Sequence, residues 1–308
     1  MTAPLLHPEL DPERFPLPDL DDAQVAMLRQ IGLVGDLPLS DAVERHDHVI
    51  SEDSNVIVRV HRPVGIPGPL PCLYSIHGGG YVIGDRSMDD AKFDRWCVEF
   101  SMVGVSVEYR LAPEHPYPAA IDDVTAGLRW VFDHAEQLEI DVERIGITGV
   151  SAGGGLCAAL GLRMRDDASR SVAFQLLDCP MLDDRMITAS SQAEGLLVWS
   201  RTSNAYGWSS YLGQRAGGAV PADAAPARAE DLAGLPPTYV CVGGADGFRD
   251  EDIVFAQRLM AAGVDTELHV YPGVPHGIEM WQGTEPATRY RNDQRDWLGR
   301  QLRRLADR

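Results

Sequence analysis

Residues 144–165 read RIGITGV and then SAGGGLCAALGLRMR. The first seven form an apolar, β-branched run that reads as a strand; the remainder, opened by small residues, reads as a helix. No loop separates them, so the chain turns from strand to helix within Gly149-Val150-Ser151-Ala152-Gly153. This is a G-x-S-x-G pattern in the context that gives it meaning. A sharp strand-to-helix turn lifts the serine hydroxyl above the sheet. The flanking glycines let neighbouring backbone approach, and the helix N-terminus favours developing negative charge. Ser151 is the candidate nucleophile.

The alternation continues in both directions. NVIVRVHRP (55–63), PCLYSIHGGG (71–80) and MVGVSVEYR (102–110) read as strands upstream; AFQLLDCP (173–180), TYVCVGGAD (238–246) and TELHVYPG (266–273) read as strands downstream. Between them lie helical patterns. One starts at Ser87, whose hydroxyl is expected to cap it, and carries Phe93, Trp96, Cys97 and Phe100. A second carries Ile121, Val124, Leu128, Val131 and Phe132; a third carries Ile253, Phe255, Ala256, Leu259 and Met260 and closes at Gly263. An Arg-rich helix with Trp297, Leu302 and Leu305 ends the chain, and a short one around Ala23–Ile31 lies near its start. Alternating strands and helices predict one α/β domain over 1–308, with a mostly parallel sheet covered by helices on both faces.

Two stretches fall outside the alternation, about 1–45 and 183–225. The second contains Trp199, Trp208 and Tyr211. Insertions at the carboxyl ends of sheet strands sit where open α/β folds bind ligands, so the two are read together as a cap over the site.

Composition narrows the partners. With 46 acidic against 27 basic residues the formal charge is −19. Such a surface repels phosphate backbones and anionic lipid heads, which argues against nucleic acid and membranes. Lys92 is the single lysine. The cysteines 72, 97, 157, 179 and 241 are scattered and odd in number, with no C-x-x-C pair, and are expected to be reduced core thiols. The N-terminus lacks a basic, apolar leader and no run has the ~20 apolar residues of a span, so a cytoplasmic protein is expected.

Position selects the partners of Ser151. His276 stands in PGVPHGIEM, directly after the last strand. His269 is inside that strand, His134 is on a helix, and His115 precedes the serine. Asp246 ends the strand TYVCVGGAD and is the preferred acid; Asp250, at the start of the next helix, is its rival. His77-Gly78-Gly79-Gly80 follows another strand. Acyl transfer needs aimed N–H donors for an oxyanion, and the backbone of Gly78, Gly79, Gly80 and Ala152 can supply them. A phosphate loop would want a lysine and an immediate helix, and Tyr81-Val82-Ile83-Gly84 gives neither. Tyr81, Trp199, Trp208 and Tyr211 are expected to shape the substrate pocket. The expected reaction is hydrolysis of a small-molecule carboxylic ester through Ser151, His276 and Asp246. The alternatives are an amidase or deacetylase with the same triad, or a non-catalytic receptor.

HGGG at 77–80, YRLAPEHPYPAA at 109–120, GVSAGG at 149–154, DGFRDE at 246–251 and HG at 276–277 together resemble the hormone-sensitive-lipase-like branch of the α/β hydrolases, the bacterial family IV esterases. CPMLDDRMITAS at 179–190 and WSSYLG at 208–213 are similar to the acetyl-ester and heroin-esterase subgroup. The resemblance implies an eight-stranded core, a helical cap, no metal or organic cofactor, and often a homodimer through the last strand and adjoining helix. The chain departs from the branch at Val150, where an acidic residue is common, and at Asp246-Gly247-Phe248 in place of D-P-L.

Overall fold

Eight strands make one sheet: β1 (Val43–Ser51), β2 (Val56–Pro63), β3 (Leu70–Ile76), β4 (Val103–Glu108), β5 (Ile140–Val150), β6 (Phe174–Asp178), β7 (Thr238–Gly243) and β8 (Thr266–Tyr271). Their order is β1-β2-β4-β3-β5-β6-β7-β8. The pairs β1–β2 and β2–β4 are antiparallel and every other pair is parallel. The computed structural model describes residues 4–11, 13, 18–33, 38–51, 56–167 and 169–307.

The seven strands legible in the sequence are all present. The eighth is β1, VERHDHVIS, whose alternation is too polar to read as a strand. It is an edge strand held by backbone pairing with β2, from Val43 opposite Pro63 to Val49 opposite Ile57. The inner strands β3, β6 and β7 are buried on both faces, which is why their sequences run almost continuously apolar.

Among the described residues seven helices accompany the sheet: α1 (Asp22–Ile31), α2 (Asp90–Phe100), α3 (Ala119–Asp133), α4 (Ala152–Asp166), α5 (Arg201–Leu212), α6 (Arg249–Ala261) and α7 (Glu285–Ala306). Strand side chains divide by parity between two cores. Tyr74, Ile76, Val240 and Val242 pack with Val124 of α3, Leu156 of α4 and Phe255 of α6. Leu73, Leu176, Tyr239 and Cys241 pack with Phe93 of α2 and Trp297 of α7. Ser87 does not cap α2 directly. Asp85 accepts the Ser87 N–H at 2.7 Å and starts a 3-10 turn, Arg86–Asp89, that feeds the helix. The five cysteines are buried free thiols.

The two stretches outside the alternation meet each other. Ser203 of α5 accepts the Leu20 N–H at 3.0 Å, and Tyr206 donates to Asp22 at 2.7 Å. Arg29 of α1 donates to the carbonyls of Val82 at 2.7 Å and Ala112 at 2.6 Å, which ties this segment to the loops after β3 and β4. Residues 1–3, 12, 14–17 and 34–37 of the first stretch lie outside the described residues. Among the described residues no helix is long and apolar enough to cross a membrane.

Candidate active site

The loops leaving β3, β5, β6, β7 and β8 at their carboxyl ends supply the site, as expected for an open parallel sheet. β5 ends at Val150 and α4 begins at Ala152, so Ser151 makes the entire turn, with φ 59° and ψ −122°. A residue with a side chain is strained there. The neighbours over-determine it. Ser151 donates its N–H to the Asp178 carbonyl at 2.8 Å, and its own carbonyl accepts the Met181 N–H at 2.9 Å. Gly153 allows the approach of β3: a Cβ on it would lie 2.1 Å from the Ile76 carbonyl oxygen.

His276 stands five residues beyond the end of β8, with Nε2 at 2.9 Å from Ser151 Oγ and Nδ1 at 2.7 Å from Asp246 Oδ2. Asp246, three residues beyond β7, is 2% exposed, and its second oxygen Oδ1 accepts the Phe248 N–H at 3.0 Å. That bond fixes the carboxylate edge-on to the imidazole. Burial pushes the imidazole down, but the charge and hydrogen bond of Asp246, with a smaller contribution from Asp178, outweigh it and hold His276 above its ordinary value. Phe248 stands edge-on to the imidazole at 5.2 Å and keeps this side apolar. Asp250 does not reach His276; it accepts from the Ser190 N–H at 2.8 Å and from Arg249 at 2.7 Å.

The glycine run is shaped by positive φ at Gly79 (108°) and Gly80 (60°). Gly79 offers its carbonyl to the N–H groups of Val82 and Ile83, both at 3.0 Å. A Cβ on Gly78 would lie 3.3 Å from Ser151 Cβ, so this loop runs beside Ser151. Among the described residues the N–H groups of Gly78, Gly79, Gly80 and Ala152 meet no acceptor. His77 stacks on Tyr109 at 4.2 Å and donates from Nδ1 to the Gly78 carbonyl at 2.8 Å, while Tyr109 donates to the His77 carbonyl at 3.0 Å.

A cavity of about 470 Å³ opens at Ser151, His276, Gly78 and Gly79. Of the four aromatic residues expected in the pocket, Trp199 lines it. Tyr81, Trp208 and Tyr211 do not. They are buried in the core, Tyr81 stacked on Tyr211 at 4.0 Å with Trp208 at 5.5 Å, and they back the glycine loop instead. The reason is local: Tyr81 follows the turn with φ 67°, and Gly155 has no side chain to fill the space its hydroxyl occupies. The walls that sequence reading missed are Leu20, Leu28 and Leu33 from the N-terminal stretch, and Asp89, Lys92, Asp178 and Cys179 from the core. Position at the end of β6 was the available signal for the last two.

Asp178 accepts from Tyr290 and, at 2.9 Å, from Gln294, both on α7. Burial, with the charge of Glu279, pushes its carboxyl up to about 7. Cys179, Asp246 and His276 bring possible metal-ligand atoms within 4.8 Å of one another. Asp246 and His276 are already bonded to each other, however, and burial pushes the Cys179 thiol well up and disfavours the thiolate, so the trio is poorly disposed to ligate a metal.

Comparison with known proteins gives consistent matches. A family profile described as alpha/beta hydrolase fold matches residues 73–280. Esterase LipI of Mycobacterium tuberculosis is 36% identical over 290 residues, which cover 92% of this chain and 90% of that protein. Carboxylesterase NlhH of the same organism is 34% identical over 318 residues, 93% of this chain and 94% of that protein. Among solved structures, a bacterial heroin esterase superposes with a TM-score of 0.91 at 37% identity, over 97% of this chain and 98% of that one.

Proposed function

The chain belongs to the hormone-sensitive-lipase-like esterases of the α/β-hydrolase fold, and on that premise we propose that it hydrolyses carboxylic esters of short to medium acyl chain with Ser151 as nucleophile. The observation that carries the reading is the unbroken hydrogen-bond chain Ser151–His276–Asp246, at 2.9 and 2.7 Å in a buried site. His276 takes the hydroxyl proton as Oγ attacks the ester carbonyl, and Asp246 holds the imidazole in the tautomer that leaves Nε2 free to accept it. The tetrahedral oxyanion falls to the free N–H groups of the Gly78–Gly80 run and of Ala152. Collapse expels the alcohol, protonated by His276. Water, activated by the same imidazole, then releases the acid from the acyl-enzyme.

A cavity of about 470 Å³ supports small esters, since ligand pockets span ~300–1,000 Å³. The N-terminal stretch and residues 183–225 act as a cap. Leu20, Leu28 and Leu33 from the first and Trp199 from the second support this, because both stretches contribute side chains to the cavity wall.

The test is hydrolysis of p-nitrophenyl esters from acetate to palmitate, by the wild type and by Ser151→Ala. Turnover should peak at short chains and vanish in the variant. A palmitate optimum would refute the chain-length reading, and activity surviving in Ser151→Ala would remove the nucleophile. A matched anilide, if cleaved faster than the ester, would favour the amidase.

A further inference from the structure

Among the polar residues of the cavity wall that the proposed cycle does not use, three stand at the glycine run and the start of α2. Asp89 closes the 3-10 turn before α2, Lys92 sits on the first turn of α2, and His77 precedes the glycine run. Lys92, the only lysine in the chain, donates to Ser75 Oγ at 3.0 Å and pairs with Asp89 Oδ1 at 2.6 Å. Its ammonium has three N–H groups, so one is left without an oxygen acceptor among the described residues. The rings of Phe93 and Trp96 lie 5.4 and 5.9 Å away.

The acceptors are also incomplete. Asp89 is 5% exposed; Lys92 and the Ser75 hydroxyl stand beside its carboxylate, yet its second oxygen Oδ2 is buried and makes no hydrogen bond of normal geometry among the described residues. His77 is 1% exposed, and its Nε2 is likewise buried and unpartnered. A carbonyl can only accept, so the bond to Gly78 places the His77 proton on Nδ1 and makes Nε2 an acceptor. Burial pushes this imidazole down, which keeps it neutral. Buried acceptors left unpaired are disfavoured, and two of them on one cavity wall call for a donor.

Charge decides which donor. The Asp89 carboxylate and Lys92 ammonium cancel. An incoming ammonium would meet Lys92, and an incoming carboxylate would meet Asp89. A hydroxyl suits the wall better: it can donate to Asp89 Oδ2 or His77 Nε2 and accept from the third N–H of Lys92. We propose that His77, Asp89 and Lys92 form a hydroxyl-recognising subsite, and that the preferred substrates are esters carrying a hydroxyl on the acyl or the alcohol chain. This rests on the ester-hydrolase reading above and names its substrate class.

Two arms separate the sources of the hydroxyl. Ethyl 3-hydroxybutyrate and ethyl 6-hydroxyhexanoate are compared with ethyl butyrate and ethyl hexanoate. The 4-hydroxybutyl and 6-hydroxyhexyl acetates are compared with butyl and hexyl acetates. All are followed by pH-stat titration. In at least one arm kcat/KM should favour the hydroxylated ester about fivefold or more, within the range of one hydrogen bond. That preference ratio should fall to near one in Asp89→Asn and in Lys92→Met. Asp89→Leu/Lys92→Leu, which removes the ion pair as a unit, keeps the comparison available if the single variants do not fold. Ratios near one in every wild-type pair would overturn the subsite and leave its acceptors to a resident water. If no parent ester is hydrolysed, the esterase reading fails separately. The subsite is then decided by calorimetry on Ser151→Ala: tighter binding of 1,6-hexanediol than of 1-hexanol supports it, and equal binding overturns it.

Discussion

Replacing Asp246 by Asn tests the proposed triad where the geometry leaves least freedom. The Asp246 side chain has two fixed neighbours, the Phe248 N–H on Oδ1 at 3.0 Å and His276 Nδ1 on Oδ2 at 2.7 Å. An amide has one acceptor oxygen. The Phe248 N–H can only donate, so it claims that oxygen, and the NH₂ group turns to His276. His276 Nδ1 must then accept, and its proton moves to Nε2, the atom facing Ser151 Oγ at 2.9 Å. In that tautomer the imidazole cannot take the serine proton. An Asp→Asn change that imposes the wrong tautomer in a Ser-His-Asp triad lowers kcat about 10⁴-fold, equivalent to about 5.4 kcal/mol.

The assay is the initial rate on p-nitrophenyl butyrate across pH 5–10, with the melting temperature as a check on folding. Loss of the Asp246 charge also removes what holds His276 up against burial, so any residual activity should set in at lower pH than in the wild type. Asp250→Asn serves as the comparison, because Asp250 is engaged with Ser190 and Arg249; its kcat should stay within several-fold of wild type. A folded Asp246→Asn enzyme within tenfold of wild type would refute the reasoning. So would a collapse of activity in Asp250→Asn with Asp246→Asn still active.

Three further outcomes are expected. Gly80→Ala adds a Cβ 2.0 Å from the Trp199 ring at φ 60°, so it should displace the proposed oxyanion loop and lower kcat about 10²-fold; activity within threefold of wild type would remove that role. Asp178 is raised from 3.8 to about 7 in the fold, so its favourable contribution is complete below its unfolded value and is lost as pH rises through the folded one. Denaturant unfolding should show it costing on the order of 2 kcal/mol between pH 5 and pH 8, with the same sign from buried Glu251 and Asp252. An Asp178→Asn variant with an undiminished pH slope would contradict this. Deleting residues 1–33 removes Leu20, Leu28 and Leu33 from the cavity wall and should raise KM for butyrate esters several-fold while relaxing the chain-length preference. Unchanged kinetics would end the cap proposal for that segment.

What the sequence disclosed follows from where each constraint resides. Ser151, Asp246 and His276 could be selected because each stands just past a strand with a strong apolar signature, and the end of a parallel strand is a position that sequence can reveal. β1 could not be seen, because of its residues 43–50 only Val43 is fully buried and its order comes from backbone pairing that leaves no trace in side-chain pattern. The aromatic residues were assigned to the pocket from their type, and type does not say which way a ring points. Trp199 lines the cavity, whereas the φ of 67° at Tyr81 carries its ring to Tyr211 in the core. Asp178 and Cys179 looked like the tail of a core strand. Their burial is real, but they lie at the carboxyl end of β6, where the cavity opens.

The spatial order of these groups places a demand on how the loops fold as well as on residue identity. Across the sheet the sequence β3, β5, β6, β7, β8 carries in turn the glycine loop, Ser151, its backbone anchor Asp178, Asp246 and His276. Strands lie about 4.8 Å apart, so the starts of the last two loops are roughly 10 and 14 Å from β5. Yet His276 Nε2 lies 2.9 Å from Ser151 Oγ. Neither loop runs extended: Asp246 donates its N–H to the Gly243 carbonyl and Val274 to the Tyr271 carbonyl, both at 3.2 Å, so side-chain reach closes the remaining distance. Each loop is braced by the other: Ala245 donates to the Val274 carbonyl at 2.8 Å, and Gly244 to the Tyr271 carbonyl at 2.7 Å. The acid and the base are thus held to each other by their loops before their side chains meet, so that a rigid sheet can bring together groups 125 residues apart in the chain.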